Sequence, residues 1–147
     1  MATAGELVFE EQFVHLRENA GSHGWPLERA FILGMKARDD SQYWLLADCT
    51  DFPALPPAWH WYNPTTSLLD QPADTPMGGT FFHPSGRICA PWNRLAYTQV
   101  DPKGPHGEWV LANWITNPKT GNCTTLSAMA LRIHVEMNST HYQGRME

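Results

Sequence analysis

Proline limits what this chain can fold into more than any other residue. The 147 residues hold 12 prolines, and all but Pro26 fall between Pro53 and Pro118. Each fixes its own φ and lacks an N–H, so helices and central strands stop there. Eleven glycines and seven tryptophans accompany them. The sequence therefore predicts bulky aromatic packing, much irregular chain and little regular helix. A chain of this length buries a core without staples, and residues 1–147 read as one domain.

Charge narrows the partners. The formal net charge is −5. That argues against nucleic acid, whose binders carry clustered positive charge, and against a polybasic membrane anchor. No stretch approaches the ~20 apolar residues of a membrane span. The first residues carry no basic region ahead of an apolar run. A cytoplasmic protein is the expectation. Cys49, Cys89 and Cys123 are odd in number, against a disulfide scaffold. No Cys-x-x-Cys pair exists and no two histidines lie four apart, so a zinc site would have to be assembled from scattered ligands.

Local patterns order the elements. Leu7, Phe9, Phe13 and Leu16 give a helical stripe over Leu7 to Asn19, broken by Ala20 to Gly24. Apolar runs at Arg29 to Arg38 and Tyr43 to Ala47, with Asp39-Asp40-Ser41 between, predict an antiparallel hairpin. Pro56-Pro57 leads into a short aromatic strand from Ala58 to Tyr62. Thr65 to Gly79 reads as loop, and irregular chain runs from Phe81 to about Gly107. A stretch that long without regular structure points to function. Glu108 to Ile115 could hold a short strand or turn, and residues 117–122 form another loop. Thr124 or Thr125 caps a last helix, along which Leu126, Met129, Ala130, Ile133 and Met137 recur. This order predicts an α+β domain, its helices to one side of an antiparallel sheet.

Three blocks carry the chemistry: Asp51 to Pro57 with its Pro-Pro turn, His83-Pro84-Ser85-Gly86-Arg87-Ile88-Cys89, and Thr125-Leu126-Ser127-Ala128-Met129. In this order they resemble the ubiquitin-conjugating enzyme family over roughly residues 7 to 140. They look most like its divergent bacterial members, which accompany activating-enzyme-like, ubiquitin-like and JAB-peptidase-like proteins in antiphage operons. The resemblance implies a UBC-like fold of about four antiparallel strands, with an N-terminal and a C-terminal helix and without the last helices of the eukaryotic core. It implies that Cys89 accepts a ubiquitin-like protein from an activating enzyme as a thioester and passes it to a target amine. Where the family has His-Pro-Asn, whose asparagine stabilises the oxyanion, this chain has His83-Pro84-Ser85.

The residues supply further expectations. Cys89 lies in Gly- and Pro-rich chain, where a thiol can be partly exposed. Arg87, two residues away, falls on the same side of an extended chain, close enough to lower the thiol pKa. For His83 the resemblance implies a structural role, turning the chain through hydrogen bonds to backbone. Asn93 either substitutes for the missing asparagine or caps a turn. His106, in the segment after Cys89, is a candidate base for the incoming amine or a solvated loop residue. Cys49 and Cys123 read as packing residues, and His60 as lying on the outer face of its strand. Two other readings stay open: a cysteine-independent binding module of the same fold, and a thiol hydrolase using Cys89 and His106.

Overall fold

A computed structural model describes residues 30–52, 54–98 and 110–147. The expected helix over Leu7 to Asn19 and the candidate His106 lie outside the described residues.

Strand β1 (Ala30–Lys36) and strand β2 (Gln42–Asp48) form the expected hairpin. Pairs run from Ala30 opposite Asp48 to Lys36 opposite Gln42. The turn is built by its own residues. Ala37 N–H donates to Ser41 O at 2.9 Å. Asp39 Oδ1 accepts from Ser41 N–H at 3.0 Å. Asp40 takes φ 67°, a left-handed conformation that aspartate tolerates better than most side chains. Gly34 faces Trp44, whose ring would lie 2.8 Å from an added Cβ, so the indole covers the strand at that point. Strand β3 (Ala58–Trp61) pairs antiparallel with β2, giving the order β1-β2-β3.

The described residues form three strands where about four were expected, and the reason lies at the outer edge of β3. Just past the strand, Tyr62 N–H donates inward to Trp44 O at 2.8 Å. The alternate N–H groups, those of Trp59 and Trp61, therefore point away from β2. Two side chains meet them. Asn93 Oδ1 accepts from Trp59 N–H at 2.7 Å, and Asp70 Oδ1 accepts from Trp61 N–H at 2.9 Å. Side-chain acceptors thus stand where a fourth strand would supply carbonyls.

A single helical turn, α1 (Arg94–Tyr97), precedes the helix expected after Thr125, which is α2 (Leu126–Met137). Thr125 caps α2, its Oγ1 accepting from Ala128 N–H at 3.2 Å. Met129, Ala130, Ile133 and Met137 are buried along one stripe. Trp59 Nε1–H donates to Met129 Sδ at 3.4 Å, joining the helix to β3. After α2 the described chain makes no further helix. It returns beside residues 75–77, with Met77 N–H to Gly144 O at 2.7 Å and Met146 N–H to Thr75 O at 2.8 Å.

One other expectation is corrected. His60 is 6 % exposed rather than open on an outer face, because Asp70, itself paired with Arg87, lies against it. Of the two forms expected within Glu108 to Ile115, the described part takes the turn: Leu111–Asn113 is a 3-10 turn, and Trp114 drops into the core. No helix among the described residues is long and apolar enough to cross a membrane.

Candidate active site

The site is a hairpin in miniature. Phe82 and Ile88 bridge antiparallel, with Cys89 N–H donating to Phe81 O at 2.8 Å and His83 N–H to Arg87 O at 3.2 Å. The turn between is His83-Pro84-Ser85-Gly86. Gly86 takes φ 85°, and its N–H donates to His83 O at 2.9 Å. Glycine suits that position because an L side chain there is strained.

His83 ties the turn with its ring. Nδ1 accepts from the Ser85 amide at 3.1 Å, the backbone bond expected of this histidine. Ser85 Oγ lies 3.0 Å from the same nitrogen. Since Nδ1 is already an acceptor, the hydroxyl is the donor in that contact. The Ser85 proton is therefore directed at His83.

Alternation along the miniature ladder decides which side chains turn inward. Ile88 is fully buried, and Cys89, next along, is half-buried. Burial pushes the Cys89 thiol above its ordinary value, while the Arg94 guanidinium and the Lys119 ammonium pull it down. Arg87 does not contribute as expected. Its guanidinium pairs with Asp70 Oδ2 at 3.3 Å, and Asp70 also holds His60 Nδ1 at 2.8 Å.

Asn93 sits immediately downstream at the end of a 3-10 turn (Pro91–Asn93) and is fully buried. Its Oδ1 takes the Trp59 N–H, and its Nδ2 donates to Ile88 O at 3.1 Å. It is a brace between β3 and the peptide preceding Cys89. Both sequence readings of Asn93 missed this role. The bond to Trp59 spans 34 positions, and nothing local in the sequence marks it.

Cys89, His83, Ser85 and Asn93 lie within residues 83–93; His83 bonds Ser85, and Asn93 bonds the Ile88 carbonyl next to Cys89. Cys49, by contrast, is buried, its Sγ–H directed at Ala47 O. Cys123 is half-buried before α2, its thiol also raised by burial and lowered by Arg132. Among the described residues no group of three His, Cys, Asp or Glu side chains could hold a metal ion. Asp70, absent from the sequence expectations, links β3 to the turn before Cys89 through Trp61 N–H, His60 and Arg87. Its sequence setting, Leu69-Asp70-Gln71 within polar loop, carries no distinguishing signal.

Compared with protein-family models, curated proteins and solved structures, the chain matches none.

Proposed function

We propose that this protein carries a ubiquitin-like protein as a thioester on Cys89, accepting it from an activating enzyme and releasing it to a target amine. The sequence resemblance motivates the reading. The observation that supports it is the setting of Cys89: a half-exposed thiol at the exit of a braced turn, under two positive charges, while Cys49 is buried in the core. In such a step the Cys89 thiolate attacks the thioester carbonyl, the activating enzyme's thiolate leaves, and the new thioester is then cleaved by an amine.

The test is charging by the cognate activating enzyme with ATP and the ubiquitin-like protein. A thiol-sensitive adduct should form on the natural chain and on Cys49→Ala and Cys123→Ala, and be absent from Cys89→Ala. Cys89→Ser should trap a longer-lived oxyester. Equal charging of all three alanine variants would sink the reading. His106 stays a proposed base for the second step. His106→Ala should charge normally and discharge to an amine ~10²-fold more slowly.

A second reading has its own support. Ser85 and Asn93 are both engaged elsewhere, and the Cys89 thiol is raised by burial. These favour a non-catalytic binding module of the same fold. It predicts no adduct under any charging condition, with partner binding unaltered in Cys89→Ala.

A further inference from the structure

Asp70 joins the edge of β3 to the turn before Cys89. It takes φ 56°, a left-handed conformation that aspartate tolerates, as at Asp40. In that conformation its backbone N–H donates to Trp61 O at 2.7 Å while Oδ1 accepts from Trp61 N–H. Oδ2 is left for His60 and Arg87.

Arg87 is the group so held. Through the Phe82–Ile88 bridge, residues 87 and 89 flank the inward-facing Ile88, so their side chains leave the ladder on one face. A guanidinium on that face would ordinarily act on the thiol. Instead it is 13 % exposed and turned onto Asp70 by a single 3.3 Å contact, with its Nε buried and unpartnered among the described residues. A guanidinium held this thinly is kept in place chiefly by the carboxylate charge, and without that charge it is free to turn along the face it shares with Cys89.

We propose that Asp70 acts as a positioning residue that holds the Arg87 charge away from the Cys89 thiol, so that the ion pair sets how readily Cys89 reacts. The inference rests on Cys89 being the reactive thiol of the reading above. Other charged groups around the segment are Arg94 and Lys119, which act on the thiol, Arg132, which lies 5.3 Å from the Phe81 ring, and His60, which faces Asp70. Anything that separates the pair, such as a partner's acidic group drawing Arg87 outward, would switch the field at Cys89.

The experiment is the pH–rate profile of Cys89 alkylation by iodoacetamide, followed on the Cys89 peptide by mass spectrometry. Asp70→Asn keeps an oxygen for Trp61 N–H and removes the charge. At pH 7 it should alkylate roughly five- to tenfold faster, with the profile displaced to lower pH and its high-pH plateau unchanged. Arg87→Gln should follow the natural profile, and the double variant should return to it. A faster plateau without displacement would mean simple loosening and would overturn the proposal, as would an equal displacement in the double variant. Should Asp70→Asn fail to fold, Arg87→Gln decides. An unchanged profile supports the proposal, and a profile moved to higher pH shows that Arg87 already acts on the thiol and overturns it. Alkylation needs no activating enzyme, so failure of the carrier reading shows only in the charging assay.

Discussion

At the scale of the residue, the balance at Cys89 is between desolvation and two cations. Burial wins, since the thiol lies above its ordinary value despite Arg94 and Lys119. Reactivity belongs to the thiolate. Cys89 should therefore alkylate more slowly than a free thiol at pH 7, and its rate should level off at a higher pH than a free thiol's. Lys119 is exposed, so Lys119→Gln can be made without disturbing the core. It removes one of the two lowering charges and should slow alkylation at pH 8 by roughly two- to threefold, because solvent screens a charge at that position. A rate equal to the natural protein's would assign the lowering to Arg94 alone. The same shift has a stability sign. A thiol raised by folding holds its proton more tightly in the native state, so its contribution is present below the unfolded value and fades as pH rises past it.

At the scale of the element, the outer edge of β3 shows how a short strand survives without a neighbour. Unpaired edge N–H groups are costly when buried. Asn93 and Asp70 satisfy Trp59 and Trp61 from loops 34 and 9 positions away. Asn93→Ala leaves the Trp59 N–H and the Ile88 carbonyl without their partner in a fully buried site. It should lower stability by about 2–4 kcal/mol, at ~1–2 per abandoned group. Asn93→Asp restores an acceptor for Trp59 but sets a carboxylate against Ile88 O, so it should rescue little. Urea midpoints of the two variants measure this, and a loss below about 1 kcal/mol for the alanine form would remove Asn93 as a brace.

The same edge explains what the sequence made legible. Apolar and aromatic runs bounded by turn and proline signals marked β1, β2 and β3, and a three-to-four spacing marked the Thr125-capped α2. The turn at Asp39-Asp40-Ser41 was readable because its bonds join neighbours. The absence of a fourth strand among the described residues, the covering of His60 and the diversion of Arg87 were not readable. All three follow from Asp70 and Asn93, single polar side chains whose partners lie across the fold.

At the scale of the whole molecule, a buried polar chain ties the last residues to the first hairpin. The Tyr43 hydroxyl lies 2.7 Å from that of Tyr142, and Tyr142 donates onward to both oxygens of Asp39 at 3.0 Å. Tyr43 is therefore the donor to Tyr142. Arg38 donates to Tyr142 O at 2.6 Å, and the Arg145 guanidinium lies 4.4 Å from the Tyr43 ring centre. Burial and the hydrogen bond to Tyr142 push Tyr43 well above the ordinary tyrosine range, despite the opposing charge of Arg145. The folded state then keeps a proton that the unfolded chain loses near pH 10. Because the unfolded state binds fewer protons there, stability must fall as pH rises above about 10. Tyr43→Phe removes the donor and its titration together. At pH 7 it should cost roughly 1 kcal/mol, the usual net worth of one buried hydrogen bond. Above pH 10 the natural protein loses about 1.4 kcal/mol per pH unit that the phenylalanine variant does not, so the gap should close within about one unit and then reverse. Denaturant midpoints of both forms at pH 7, 10 and 11.5 give the comparison. A gap that stays constant across this range would show that Tyr43 does not hold its proton against solvent, and that the C-terminal segment is fixed instead by Arg145 and its bonds to Ala73 O and Gln42 O.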